Sequence, residues 1–156
     1  MIWIGILMGL AGTLAMDIWA WGLERFAGQA RTNWAMPGRW LGHVVRGRVF
    51  HDDIAAARPV AGELSLGWAL HYGVGILYGV IFVLLAGRDW LAAPTFWPLW
   101  AFSIITIAAG WFLLLPGMGL GWAASKTERP WKVRAMGLVA HSVFAVGMWI
   151  CVLLVS

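Results

Sequence analysis

Four apolar stretches, at about residues 2–23, 64–87, 96–121 and 134–155, decide what this chain can fold into. Each is close to the roughly 20 residues that a helix needs to cross a bilayer core. Composition agrees. Of the 156 residues 62% are hydrophobic and only 12% are charged, against about 25% charged in an ordinary soluble domain. Mean hydropathy is +0.79 and there are 13 tryptophans. The expected fold class is all-α: an integral membrane four-helix bundle in a single domain, with a long loop carrying short interfacial helices. The first stretch is read as a retained span. It has no basic residue before Arg25, carries Asp17 and lacks a small-residue cleavage pattern.

The loops suggest an orientation. The loop at 24–63 holds Arg25, Arg31, Arg39, Arg46, Arg48 and Arg58, and the loop at 122–133, with the residue after it, holds Lys126, Arg129, Lys132 and Arg134. The second loop has Arg88 beside Asp89 and no further charge. The excess of cations puts the first and third loops in the cytoplasm and both termini outside. Trp19, Trp21, Trp34, Trp40, Trp68, Trp122 and Trp131 gather at one interface, and Trp3, Trp90, Trp97 and Trp100 at the other, as aromatic belts do. These few cations in short loops read as a topology signal and not as a nucleic-acid surface. Cys151 stands alone, so an internal disulfide and a cysteine metal cluster are both excluded.

The first loop is far longer than the usual helix–helix connection. Gly38 to Arg46 is expected to form a short interfacial helix. Trp40, Leu41, Val44 and Val45 would lie on one face, and Arg39, His43 and Arg46 on the other. Phe50 to Ala57 is expected to add a helical turn or two, with His51, Asp52 and Asp53 near its start.

Three ionisable residues lie inside the spans: Asp17, His71 and His141. Each is about seven residues, or roughly 10 Å, from the cytoplasmic end of its run. Such groups are costly in a membrane and mark a functional site by default. Each also belongs to a stripe of small residues four apart: Gly9-Thr13-Asp17, Gly67-His71-Gly75-Gly79 and Gly137-His141-Ala145. Stripes of this kind mark faces where helices approach closely. In an up-down bundle the second and fourth spans are diagonal and the first touches both, so the three groups are expected to converge. Beside them Pro116 frees a carbonyl, and Gly117, Gly119 and Gly121 loosen the chain. Asn33, Arg39, His43, Arg48, His51, Glu63, Ser125, Lys126 and Thr127 would form the mouth of the pocket on the cytoplasmic side.

Several chemistries remain open for this layer. Asp17, His71 and His141 form a plausible set for a divalent transition metal, with His43 or His51 completing the shell. A small ligand from the cytoplasm or inner leaflet would use Asp17, Asn33, Arg39, His43, Arg48, Glu63 and Ser125. His71 and His141 are also placed as axial ligands of a b-type haem would be. Asp17 alone fits a proton-coupled transporter, and the basic mouth a lipid-modifying enzyme that holds a phosphate. The bland alternative is interhelical glue, with bonds worth about 0.6 kcal/mol each. The glycine stripes leave a homodimer open, and no feature decides for or against catalysis. The stretch Gly121-Trp-Ala-Ala-Ser-Lys126-Thr127 lacks the glycine before lysine and the preceding strand of a phosphate-binding loop.

Met16-Asp17, Gly38-Arg-Trp-Leu-Gly-His43, Arg46-Gly-Arg48 with His51, Pro59-Val60, Gly62-Glu63, Gly67-Trp68, His71-Tyr72, Pro116-Gly-Met-Gly-Leu-Gly121 and Ala123-Ala-Ser125 occur together across nearly the whole chain. In this combination the sequence resembles a bacterial four-span inner-membrane family catalogued as domain of unknown function number 2938. The resemblance implies a bacterial inner-membrane address and carries no activity with it.

Overall fold

The computed structural model describes residues 1–155. Its helices are α1 (Ile2–Ala27), α2 (Ala35–Val44), α3 (Glu63–Ala92), α4 (Phe96–Ala109), the short α5 (Leu115–Gly117) and α6 (Pro130–Val155). A π-helical turn, Gly110–Leu114, joins α4 to α5, and a 3-10 turn covers Trp122–Ala124. Four helical spans are long and apolar enough to cross a membrane: Ile2–Ala27, Glu63–Ala92, Phe96–Gly117 and Pro130–Val155. The fold is all-helical, as expected.

The ends of the helices are set by backbone chemistry more than by hydropathy. The apolar run of α1 ends at Leu23, but the helix continues to Ala27. It stops where Gly28 turns left-handed (φ 64°) and the Gln29 N–H donates to the Leu23 carbonyl at 3.2 Å. In α3 the helical dihedrals fail at Gly87 (φ 78°, ψ −175°), where the apolar run also ends. α6 starts four residues before its expected boundary because Pro130 opens it, at the position where a missing N–H costs nothing.

The chain forms two compact units. The first comprises residues 1–31, 72–106 and 138–156. Its core is Met8, Phe82, Val83, Leu91, Leu99, Phe144, Met148 and Val152. α1 lies against α3 through paired glycines. A methyl group added at Gly9 would run into the Gly75 carbonyl, and one at Gly79 into the Gly5 carbonyl. α1 meets α6 through Gly12, packed on Phe144 and Met148, and through Gly147, packed on Ala11 and Ala15. α4 reaches α3 through the Tyr78 hydroxyl, which donates to the Thr106 carbonyl at 3.3 Å. It reaches α6 through the Trp100 indole N–H, which donates to Ser142 Oγ at 3.0 Å. Thus α1 and α4 each touch both α3 and α6.

The second unit comprises residues 32–71 and 107–137. Its core is Trp40, Ile54 and Met118, flanked by Met36, Leu41, Val44, Leu70, Leu114 and Leu115. α2 crosses the first turns of α3 at backbone distance, with Gly38 against the Glu63 carbonyl and Gly67 against the Trp34 carbonyl. The expected helix at Gly38–Arg46 is present but shifted to Ala35–Val44. Asn33 opens it, its Oδ1 accepting the Ala35 N–H at 3.1 Å. The expected turns of helix at Phe50–Ala57 are replaced by a chain of turns. There Asp53 Oδ1 takes the Ala55 N–H at 2.8 Å, and the backbone N–H groups of His51 and Ile54 go to the carbonyls of Gly117 and Met118. The loop backbone bonds to the end of the third span and not to itself.

Candidate functional site

In the first unit the polar feature is a carboxylate with a phenol. Asp17 follows Gly9 and Thr13 on the stripe of α1 that faces α3. Thr13 Oγ1 folds back to donate to the Gly9 carbonyl at 2.8 Å, and a methyl group at Gly75 would meet that hydroxyl oxygen. One turn along, the Tyr72 hydroxyl donates to Asp17 Oδ2 at 2.7 Å. Both residues are half-buried. The distance is that of a well-formed O–H···O hydrogen bond. Tyr72 was not singled out as a site residue from the sequence. The signal was present, since it precedes Gly75 by three residues and so shares the glycine face of α3. His141 is half-buried on α6 in the same unit.

In the second unit His71 is half-buried and stacks on Trp34, with ring centroids 4.0 Å apart and planes 26° apart. Trp68 lies against both rings, at 5.8 Å from Trp34 and 5.9 Å from His71. Trp34 was read only as part of an aromatic belt; here it is the platform for an imidazole.

The strongest polar contact belongs to Arg39. The interfacial-helix reading put Arg39 on the outer face of α2, but it is 8% exposed. Its Nε and Nη2 donate to the two carboxylate oxygens of Glu63, both at 2.8 Å. Its Nη1 donates to the carbonyls of Ile54, Ala55 and Ala57 at 3.2, 2.9 and 3.1 Å. Glu63 Oε2 also accepts the Val60 N–H at 3.1 Å. The hydrogen bond to Glu63 holds the guanidinium above its ordinary pKa, outweighing burial, which acts the other way. The physical reason for the inward turn is that the turns at 54–57 leave carbonyls with no helical partner. A buried carbonyl needs a donor, and the planar guanidinium offers five N–H groups in a fixed fork.

The remaining mouth residues are distributed as follows. His43 and His51 are hydrogen-bonded to each other at 2.9 Å. Asn33, Arg48, Ser125 and Lys126 are exposed, and Thr127 Oγ1 donates to the Ala124 carbonyl at 2.8 Å. Ala123 and Ala124 both have positive φ, 46° and 63°, a conformation that costs a non-glycine residue about 1–3 kcal/mol. Arg134 Nε holds this turn by donating to the Ala123 carbonyl at 2.8 Å. The break expected at Pro116 is not there: Pro116 lies within α5, which ends at Gly117, and the irregularity is the π-helical turn that precedes it. The Leu115 N–H donates to the Gly110 carbonyl across a π-helical turn, a feature frequent at functional sites. Among the described residues, no group of three or more His, Cys, Asp and Glu side chains is arranged to hold a metal ion.

A family model described as a protein of unknown function (DUF2938) matches residues 6–155. The chain belongs to this family. No match was found among curated proteins or among solved structures. With its four apolar helices, the DUF2938 chain is a multi-pass membrane protein.

Proposed function

We propose that this DUF2938 protein binds a small ligand at an intramembrane site anchored by Asp17. The observation that carries the reading is the Tyr72–Asp17 bond of 2.7 Å in a membrane-spanning segment. An aspartate at the centre of a span costs about 2.5–3.5 kcal/mol to insert. An interhelical hydrogen bond returns about 0.6 kcal/mol on average. Several such bonds would be needed to break even, and an asparagine would supply them without the charge. A carboxylate is needed where it meets a proton, a cation or a ligand donor. Tyr72 orients that carboxylate.

The metal reading takes Asp17, His71 and His141 as donors, and its support is their equal spacing from the ends of their apolar runs in the sequence. Arg39 and Glu63, bound to one another, would shape the mouth and not contact the ligand. The proposed address is a bacterial inner membrane, with both termini periplasmic and the loops containing Arg39 and Lys126 cytoplasmic. The cation asymmetry of the loops supports this orientation.

The test is native mass spectrometry with elemental analysis of the purified protein, then melting with and without chelator and with added zinc. Asp17→Asn, His71→Ala and His141→Ala are measured beside the parent. The expected result is a copurifying species that disappears in Asp17→Asn while the variant remains monodisperse. A stoichiometric chelatable metal, lost in all three variants, would select coordination. A parent with no bound species, insensitive to chelator and zinc, with variants that are merely less stable, would overturn the proposal in favour of glue. For orientation, reporter fusions at residue 90 and at the C-terminus should both behave as periplasmic.

A further inference from the structure

The turn that leads from the third span to the fourth carries cations without counter-charge beside exposed aromatic rings. The third span ends at Gly117 and the fourth begins at Pro130, so the segment between them lies at the headgroup level of a bilayer. Trp122 is 66% exposed and Trp131 is 79% exposed. The Trp122 ring lies 5.6 Å from that of Phe112, an exposed residue near the end of the third span. Lys126, Arg129 and Lys132 are exposed, and Arg134 is half-buried. Glu128 is the only acid in the sequence after Gly117. Among the described residues, none of these cations has a carboxylate within ion-pair distance.

Arg134 is held from two sides. Its Nε donates to the Ala123 carbonyl at 2.8 Å. Its Cζ lies 5.0 Å from the centre of the Trp131 ring, a cation–π contact. These contacts occupy the Nε edge and one face of the guanidinium. Among the described residues, the N–H groups on Nη1 and Nη2 make no hydrogen bond. A planar fork that is already ordered suits a phosphate, whose oxygens accept two parallel N–H groups at once.

We propose that this turn binds the phosphate of an anionic phospholipid, with Arg134 as the bidentate donor, Lys126, Arg129 and Lys132 as surrounding positive charge, and Trp122 and Trp131 seated beside the upper acyl chains. Charge complementarity selects an anionic lipid over a zwitterionic one. The choline of a zwitterionic headgroup would compensate its own phosphate and leave the cations unmatched. The rings select a lipid over a soluble phosphate. Trp122 and Phe112 join the cations to the apolar surface of the span, at the depth where tryptophan is favoured. Basic groups immediately beside a span attract anionic headgroups. The proposal does not rest on the reading of Asp17.

The experiment is native mass spectrometry of the full chain in detergent, titrated with phosphatidylglycerol or with phosphatidylcholine. The expected result is a phosphatidylglycerol adduct about tenfold tighter than the phosphatidylcholine adduct, or more. Arg134→Gln should weaken phosphatidylglycerol binding about tenfold or more, as expected for loss of a hydrogen bond to a charged group. Arg134→Lys should recover little, because an ammonium keeps the charge but not the fork. Arg46→Gln removes an exposed cation outside the turn and should leave the affinity within about twofold. Equal affinity for the two lipids would overturn the proposal. So would equal losses in Arg134→Gln and Arg46→Gln, which would mean diffuse surface charge. Displacement of phosphatidylglycerol by free glycerol 3-phosphate would overturn the lipid in favour of a soluble phosphate. Should Arg134→Gln fail to fold without its Ala123 contact, Arg129→Gln combined with Lys132→Gln decides. A lost preference for phosphatidylglycerol in that variant supports the site, and an unchanged preference overturns it.

Discussion

Along α1, Gly5 and Gly9 sit against Gly79 and Gly75 with a carbonyl where a side chain would be. Around α2, by contrast, the Arg39 guanidinium, the His43 imidazole and the Trp40 indole, whose N–H donates to the Val49 carbonyl at 2.8 Å, all reach for loop carbonyls, and the His51 imidazole reaches for the Gly117 carbonyl at the end of α5. The difference follows from the state of the backbone. In the regular helices of the first unit every carbonyl before the last turn has its own helical N–H, and the stabilising term left is close packing. In the second unit the turns at 51–57 and the break after Gly110 leave carbonyls without helical partners. Long polar side chains must supply the donors there. Deleting an atom should therefore harm one unit, and adding an atom the other.

The largest effect is expected from Arg39→Ala. It removes the guanidinium from the Glu63 carboxylate, which keeps only the Val60 N–H, and from the carbonyls of Ile54, Ala55 and Ala57. Breaking a buried ion pair from one side typically costs about 3–5 kcal/mol. Thermal melting in detergent should show a loss of that size, with early proteolysis in the loop at 45–58. Arg39→Lys should recover little, because a single ammonium cannot reproduce the fork. Near-parental melting in Arg39→Ala would remove the contrast between the units.

Gly9→Val sharpens the other side. The added side chain meets the Gly75 carbonyl and the Ile76 backbone, and should cost about 1–3 kcal/mol through overpacking. Gly22, on the same helix, has nothing within 4 Å of an added Cβ. Gly22→Ala should be neutral or stabilise by about 0.5–1 kcal/mol, since alanine favours the helix. Equal losses at the two glycines would mean that α1 and α3 do not meet along this stripe.

The smallest stability effect is expected from Tyr72→Phe. It removes one interhelical bond to Asp17, worth about 0.6 kcal/mol on average. Its effect on binding should exceed its effect on melting, because the carboxylate loses its orientation. Native mass spectrometry of the copurifying species beside the melting curve separates the two. A variant that melts far below the parent would place Tyr72 among the structural groups of the first unit.

The sequence by itself determined the four spans, the irregular stretch near Pro116 and the small-residue faces that bring α1 against α3; the contact of α1 with α6 runs through Gly12 and Gly147, outside the expected stripes. Those features are local: the length of an apolar run, a missing N–H and the absence of Cβ atoms are properties of the chain wherever it lies. The boundaries at Ala27 and Pro130 were also local, but they depended on caps that hydropathy does not weigh. The tertiary structure alone decided that Arg39 turns inward, that the Tyr72 hydroxyl donates to Asp17 Oδ2, and that His71 rests on Trp34. Each of these depends on which orphan carbonyl or ring the fold delivers to a given side chain. An amphipathic pattern gives the face of a helix, but not whether lipid, water or a neighbouring loop covers it. For α2 the cover is a loop full of unpaired carbonyls, so the face read as solvated became the most strongly hydrogen-bonded surface of its unit.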